Sequence, residues 1–369
     1  MQETQQEMQH PRSSGPDKLL ESMQQGMEES RLTAVEIGNL WFAYTSETLA
    51  HHLFVYFRKH MENPVIKPLA TIMVDESRDE LSQLKTIFTR EDIPLPRGIA
   101  AEDIYLDAPR LFSDNLFIPL VRMMARAGLR FYTLAYTDST RSDIREYFHQ
   151  AVKRFLIHTQ QAAELMQAKG IPPQPPQMPV PEQVDFVKKQ GFMAGFFAKK
   201  RPLTALEINN IFFNAKANAF GKALLLGFSQ VAQAAPIKQF IIKGENLANK
   251  FFTDLNKALQ NENITVPPSF DGEVLDSTES PFSDRLMLLF TAFMNTIGLQ
   301  RYGRGSILAM CQRRDLNAMF ARMIMETGAL GNEGSKLLID RGWLEQPPLA
   351  PDRQALAEQG SPPPDKQLH

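Results

Sequence analysis

Cysteine is almost missing from this 369-residue chain: Cys311 stands alone. That excludes an internal disulfide framework and any zinc site built from several thiolates, and it fits a reducing compartment such as the cytoplasm. No apolar run is long enough to span a bilayer, and the first residues hold no apolar h-region. Neither a membrane span nor a secretory signal is therefore expected. Charge of one sign is lacking too, since 40 Lys and Arg face 42 Asp and Glu. Without a continuous basic stripe, nucleic acid is not an expected partner. No P-loop, dinucleotide fingerprint or nucleophile motif occurs, and Gly303-Arg304-Gly305 is too short for a phosphate loop and reads as a kink.

What the chain does have is a repeat. Residues 32–170 return as 203–342. Leu32-Thr33-Ala34-Val35-Glu36-Ile37 reappears as Leu203-Thr204-Ala205-Leu206-Glu207-Ile208, and Arg90-Glu91-Asp92-Ile93 as Asn261-Glu262-Asn263-Ile264. Phe112-Ser113-Asp114 matches Phe282-Ser283-Asp284. A repeat of this length is a duplicated domain, not a solenoid unit. Around the repeats, residues 1–30 carry about −4 charge with little to bury and read as unstructured. Residues 171–202 are a linker, first Pro-rich and then basic and aromatic, and the Pro-rich tail 347–369 also reads as unstructured.

Each repeat has a helical apolar period. Ile37, Leu40, Trp41, Tyr44, Thr48, His51 and Val55 form one stripe. Thr33 with Glu36, and Thr204 with Glu207, are capping boxes at the start of each first helix. Four helices are predicted in 31–170 and four in 203–346. Helices one and two, and three and four, are joined by short turns and must be antiparallel. Helices two and three are separated by a segment holding Pro94, Pro96, Gly98 and Pro109. Extended, it reaches ~50 Å, further than a 25-residue helix at ~38 Å, so it can cross the whole bundle. The predicted fold is all-α, two tandem ferritin-like four-helix bundles, each with a long crossover between helices two and three.

Ile93-Pro94-Leu95-Pro96-Arg97-Gly98, followed by Ala108-Pro109-Arg110-Leu111-Phe112-Ser113-Asp114, resembles a family of duplicated ferritin-like proteins from spore-forming bacteria. That family is of unknown function and related to the spore coat protein F group. Lys200-Arg201-Pro202-Leu203-Thr204-Ala205-Leu206-Glu207-Ile208 is similar to its second signature. The resemblance spans about residues 30–345. It implies the fold and a sporulation setting, and brings no activity and no site residues.

A di-iron site of ferritin-like type needs a Glu from each of two helices and a Glu-x-x-His from each of the others. Within the predicted helices, only Glu146-Tyr147-Phe148-His149 has that spacing, and it lies off the apolar stripe. A second constellation fits better. His51, Glu76 and His158 fall on the inward stripes of helices one, two and four at a common depth, with Glu47, Glu80 and Arg154 in the next layer. Their counterparts in repeat two are mostly apolar: Leu247 for Glu76, Phe251 for Glu80, Lys222 for His51 and Gly328 for His158. Ionisable groups in a core must be paired or metal-bound. The favoured reading is a self-satisfied polar network, with no cofactor; the alternative is a site for Fe, Mn or Zn.

Phe186, Phe192, Phe196 and Phe197 interleave with Lys188, Lys189, Lys199, Lys200 and Arg201. This segment reads first as aromatics docking on the bundles, and second as a contact with an anionic membrane surface. Met123, Met124, Met310, Met319, Met323 and Met325 read as core or interface packing, and Cys311 as a buried, inert thiol. The sequence thus points to a non-enzymatic structural or interaction protein with protein partners or self-association, in the cytoplasm or the spore. The alternative is a metal-binding protein or oxidase using the first bundle.

Overall fold

A computed structural model describes residues 30–170, 175–196, 200–305 and 310–359. The first bundle contains α1 (Ala34–His60), α2 (Lys67–Arg90), α3 (Asp114–Asp138) and α4 (Ser142–Ala168). The second contains α5 (Ala205–Val231), α6 (Ala235–Gln260), α7 (Asp284–Gly305) and α8 (Arg314–Asp340). A short α9 (Arg353–Gln359) follows, in the part of the tail expected to be unstructured. The predicted N-terminal disorder lies outside the described residues. Both capping boxes are present, at Thr33 and Thr204.

The repeated motifs are the joints of the bundle. Asp92 and Asn263 both take positive φ, 53° and 56°, just past the ends of α2 and α6. Asp and Asn tolerate that conformation better than other residues with a Cβ. Ile93 N–H then reaches back to Phe88 O at 3.0 Å, and Ile264 N–H to Leu259 O at 3.1 Å, closing each helix. Asp114 opens α3 and accepts the backbone N–H groups of Glu62 and Asn63 at 3.0 and 2.6 Å, which ties it to the α1–α2 turn. Asp284 does the same with Gln233 and Ala234 at 2.9 and 2.7 Å.

These contacts fix the direction of every helix. The α1–α2 turn meets the start of α3. At the other end, Arg141 at the α3–α4 turn donates to both oxygens of Glu91, just past α2, at 2.8 Å. Hence α2 and α3 run parallel, and residues 91–113 cross the bundle from end to end, as expected. The fold is all-α, with two tandem four-helix bundles of one-crossover connectivity.

The two crossovers pair with each other. Ile104 bridges to Phe282, and Val274 bridges to Phe112, both antiparallel. Ser283 N–H donates to Asp103 O and Ser113 N–H to Glu273 O, each at 2.9 Å. Since 103, 104, 112 and 113 match 273, 274, 282 and 283, the pairing has approximate twofold symmetry. One buried cluster runs through this contact and includes Phe57, Phe112 and Phe117 from one half and Phe228, Phe282 and Phe290 from the other. Gly227 permits the approach: a Cβ there would meet Phe112 Cε1 at 2.4 Å. A buried ion pair, Arg285 to Asp103 at 2.7 Å, lies beside it, and Arg285 also donates to Gly98 O at 2.6 Å.

Candidate functional site

The first bundle holds a cavity of about 50 Å³ between its helices. Glu47, Glu76, Glu80, Arg154 and His158 line it together with Tyr132. Four of the five expected site residues therefore converge. His51 does not. Its Nδ1 lies 2.8 Å from Ser77 Oγ, and that hydroxyl already donates to Val74 O at 3.0 Å, so Nδ1 of His51 is the donor. Burial, then the nearby His52, lowers its pKa to about 4. His51 sits on the flank of α1 against α2, off the axis where Glu76 and His158 meet, because a stripe one residue wide cannot separate centre from flank.

The convergent groups are already paired. His158 Nε2 lies 2.5 Å from Glu76 Oε2, and this contact, ahead of burial, holds the Glu76 carboxyl below the usual range. Arg154 donates to Glu80 Oε1 through Nε at 2.7 Å and again through a terminal nitrogen. Glu47 accepts from the Tyr132 hydroxyl at 3.0 Å. Burial first, and then the charge of Glu80, push Glu47 up to about 8, so Glu47 is protonated at neutral pH. Burial also raises Glu80, against the pull of Arg154. Among the described residues, no three His, Cys, Asp or Glu side chains stand close enough to share a metal ion. Glu146 and His149 are exposed, 3.4 Å apart, as the helical face required.

Sequence reasoning missed the tyrosines and the second bundle's own polar layer. Tyr302 matches Tyr132 and donates at 2.8 Å to Asn218, which matches Glu47. Asn210, Asn214 and Asn218 each donate to the carbonyl one turn back, at 2.9, 2.8 and 2.9 Å. The Tyr132–Glu47 pair of the first half is thus replaced by Tyr302–Asn218 in the second. The signal was present as Tyr132 and Tyr302 at matching positions. Elsewhere, Lys222 pairs with Asp271 at 2.6 Å.

The linker aromatics divide. Phe192 lies under the Arg201 guanidinium at 3.9 Å, and Arg201 pairs with Glu207 at 2.7 Å, so this part docks on the second bundle. Phe186 and Phe196 are exposed, and Phe197 and Lys199 lie outside the described residues. Cys311 is buried, which pushes its thiol up to about 12. Met325 is 68% exposed and so is not core. No helix among the described residues is long and apolar enough to cross a membrane.

The family described as "Protein of unknown function (DUF3231)" matches residues 22–184 and again 191–356. The chain belongs to that family, in two copies. A solved structure, of a candidate spore coat protein from Bacillus halodurans, is similar at 19% identity with a TM-score of 0.38, over 41% of this chain and 98% of that one. No curated protein matches.

Proposed function

We propose that this chain is a non-enzymatic structural or interaction protein of the spore or its assembly. One observation carries the non-enzymatic part. Among the described residues, each carboxylate lining the cavity has a partner within the fold: half-buried Glu76 with His158, buried Glu80 with Arg154, and buried Glu47 with Tyr132. Groups so engaged stabilise a core, and they would lose those partners by turning to a substrate or a metal. The sporulation setting is supported by the resemblance of residues 93–114 and 200–208 to proteins of spore formers.

The alternative is a metal site in the first bundle. It is favoured by the convergence of Glu47, Glu76, Glu80 and His158 on one cavity whose counterpart in repeat two holds Leu247 and Phe251. Elemental analysis of untagged protein, purified without chelator, decides between them. Sub-stoichiometric Fe, Mn and Zn, unchanged in Glu76→Ala/His158→Ala, is the expected result. Near-stoichiometric metal that disappears in the variant would replace the proposal with the alternative. Fractionation of sporulating cells tests the setting: recovery in the spore layers is expected, and recovery only from vegetative cytosol would refute it.

A further inference from the structure

Between the two bundles lies a second cavity, of about 70 Å³, whose charge is of one sign. Arg122, Arg126 and Arg130 line it from α3, at successive helical turns about 6 Å apart. Lys216 from α5 and Arg301 from α7 complete the wall. The floor is apolar and includes Met123, Phe213, Phe220 and Ile297. All five cations are at least partly buried.

Among the described residues, no carboxylate lines this cavity. Burial, followed by the charges of Arg122, Arg130 and Arg304, lowers Arg126 to about 10. Burial, then Arg122 and Arg126, lowers Lys216 to about 8, and Arg301 is lowered to about 9 chiefly by burial. Their contacts are poor substitutes for an anion. Arg126 lies over the Phe213 ring at 5.0 Å, Arg301 donates to Phe213 O, and Arg122 reaches Met166 Sδ at 3.7 Å. Arg122 Nε is buried with no partner.

Packing does not require these charges. Under the approximate twofold relation, the positions of Arg122, Arg126 and Arg130 are matched by Ala292, Thr296 and Gln300, and those of Lys216 and Arg301 by Thr45 and Phe131. None of the five counterparts carries a charge. Five converging, uncompensated cations are costly to hold together unless an anion joins them. Guanidinium forks match phosphate oxygens, and the aromatic floor accommodates an apolar group.

We propose that the cleft between α3, α5 and α7 binds a phosphate ester carrying an apolar group, either a soluble ester or a phospholipid headgroup. The inference is independent of the function proposed above. Hexyl phosphate is the probe, titrated calorimetrically into the full chain at fixed ionic strength, with hexanol as the uncharged control. Saturable binding at one site is expected, with none for hexanol. In Arg126→Gln/Lys216→Gln, binding should weaken roughly tenfold or more, from lost charge-assisted bonds. Arg58→Gln/Arg97→Gln, which removes two surface charges elsewhere, should leave affinity unchanged. Flotation with vesicles containing phosphatidic acid, against phosphatidylcholine alone, identifies the source. Cleft-dependent flotation with no hexyl phosphate binding assigns the lipid headgroup, and the reverse assigns a soluble ester. Binding to neither probe, or equal weakening in both double variants, would overturn the proposal. Circular dichroism melts of both variants confirm that a loss of binding is not a loss of fold.

Discussion

Glu36 and Glu207 are fully buried carboxylates. Glu36 closes its own capping box and also accepts the backbone N–H groups of Thr140 and Arg141, each at 2.9 Å. Glu207 does the same for Gln312 and Arg313, at 3.1 and 3.0 Å. Burial raises each pKa, but hydrogen bonds outweigh it, led by the Arg141 N–H for Glu36 and by the Arg201 side chain for Glu207, so both end below the usual value of 4.5. Their contribution is therefore present above pH 4.5 and is lost as pH falls through the depressed folded value. Glu36→Gln and Glu207→Gln should each cost about 1–3 kcal/mol in urea unfolding at pH 7, and much less near pH 3. Glu47 has the opposite sign. With its pKa raised from 4.5 to about 8, the folded state binds the extra proton between those values, so stability falls as pH rises across that window. Glu47→Gln should flatten this part of the stability–pH curve, and a variant that kept the wild-type slope would show that another group titrates. The sequence marked Glu47, Glu76, Glu80 and His158 as core residues because they sit on apolar stripes. It misplaced His51, since periodicity locates a face and not a depth within it, and it could not show that Tyr132 is the partner of Glu47.

At the scale of elements, the crossover was legible. Its prolines and Gly98 forbid a helix, and its length demands a traverse of the bundle. Gly98 takes φ +57°, and a Cβ there would meet Thr48 Oγ1 at 2.3 Å. The pairing of one crossover with the other was not legible, because it joins residues about 170 positions apart through bridges too short to leave an alternating pattern. The Phe-Ser-Asp motif has its explanation there. Phe packs across the contact, Ser donates its N–H to the other crossover, and Asp holds the helical turn. Gly227→Ala should destabilise the chain by about 1–3 kcal/mol, because the new methyl must displace the buried Phe112 ring. Gly272→Ala, where nothing lies within 4 Å, is the control and should change little.

For the molecule as a whole, the linker is not what holds the halves together. Residues 175–189 form no helix or strand and are largely exposed, whereas the contact between bundles shares one core. Limited proteolysis within 175–189 should leave two fragments that co-elute in gel filtration at the volume of the intact chain. Separation of the fragments would show that the contact needs its tether. The duplication itself was plain from the sequence, but its geometry was not, since an interface between repeats has no period.

The Asp103–Arg285 ion pair has a consequence for how such a molecule can diverge. The counterpart of Asp103 is Glu273, and that of Arg285 is Asn115, so the mirror pair does not exist. In an assembly of two identical subunits, any residue introduced at that contact appears twice, and a change tolerable on one side must be tolerated on both. A fused chain is free of this constraint. Each half can adopt a substitution that suits only its own side, which allows one copy to specialise while the other preserves the frame.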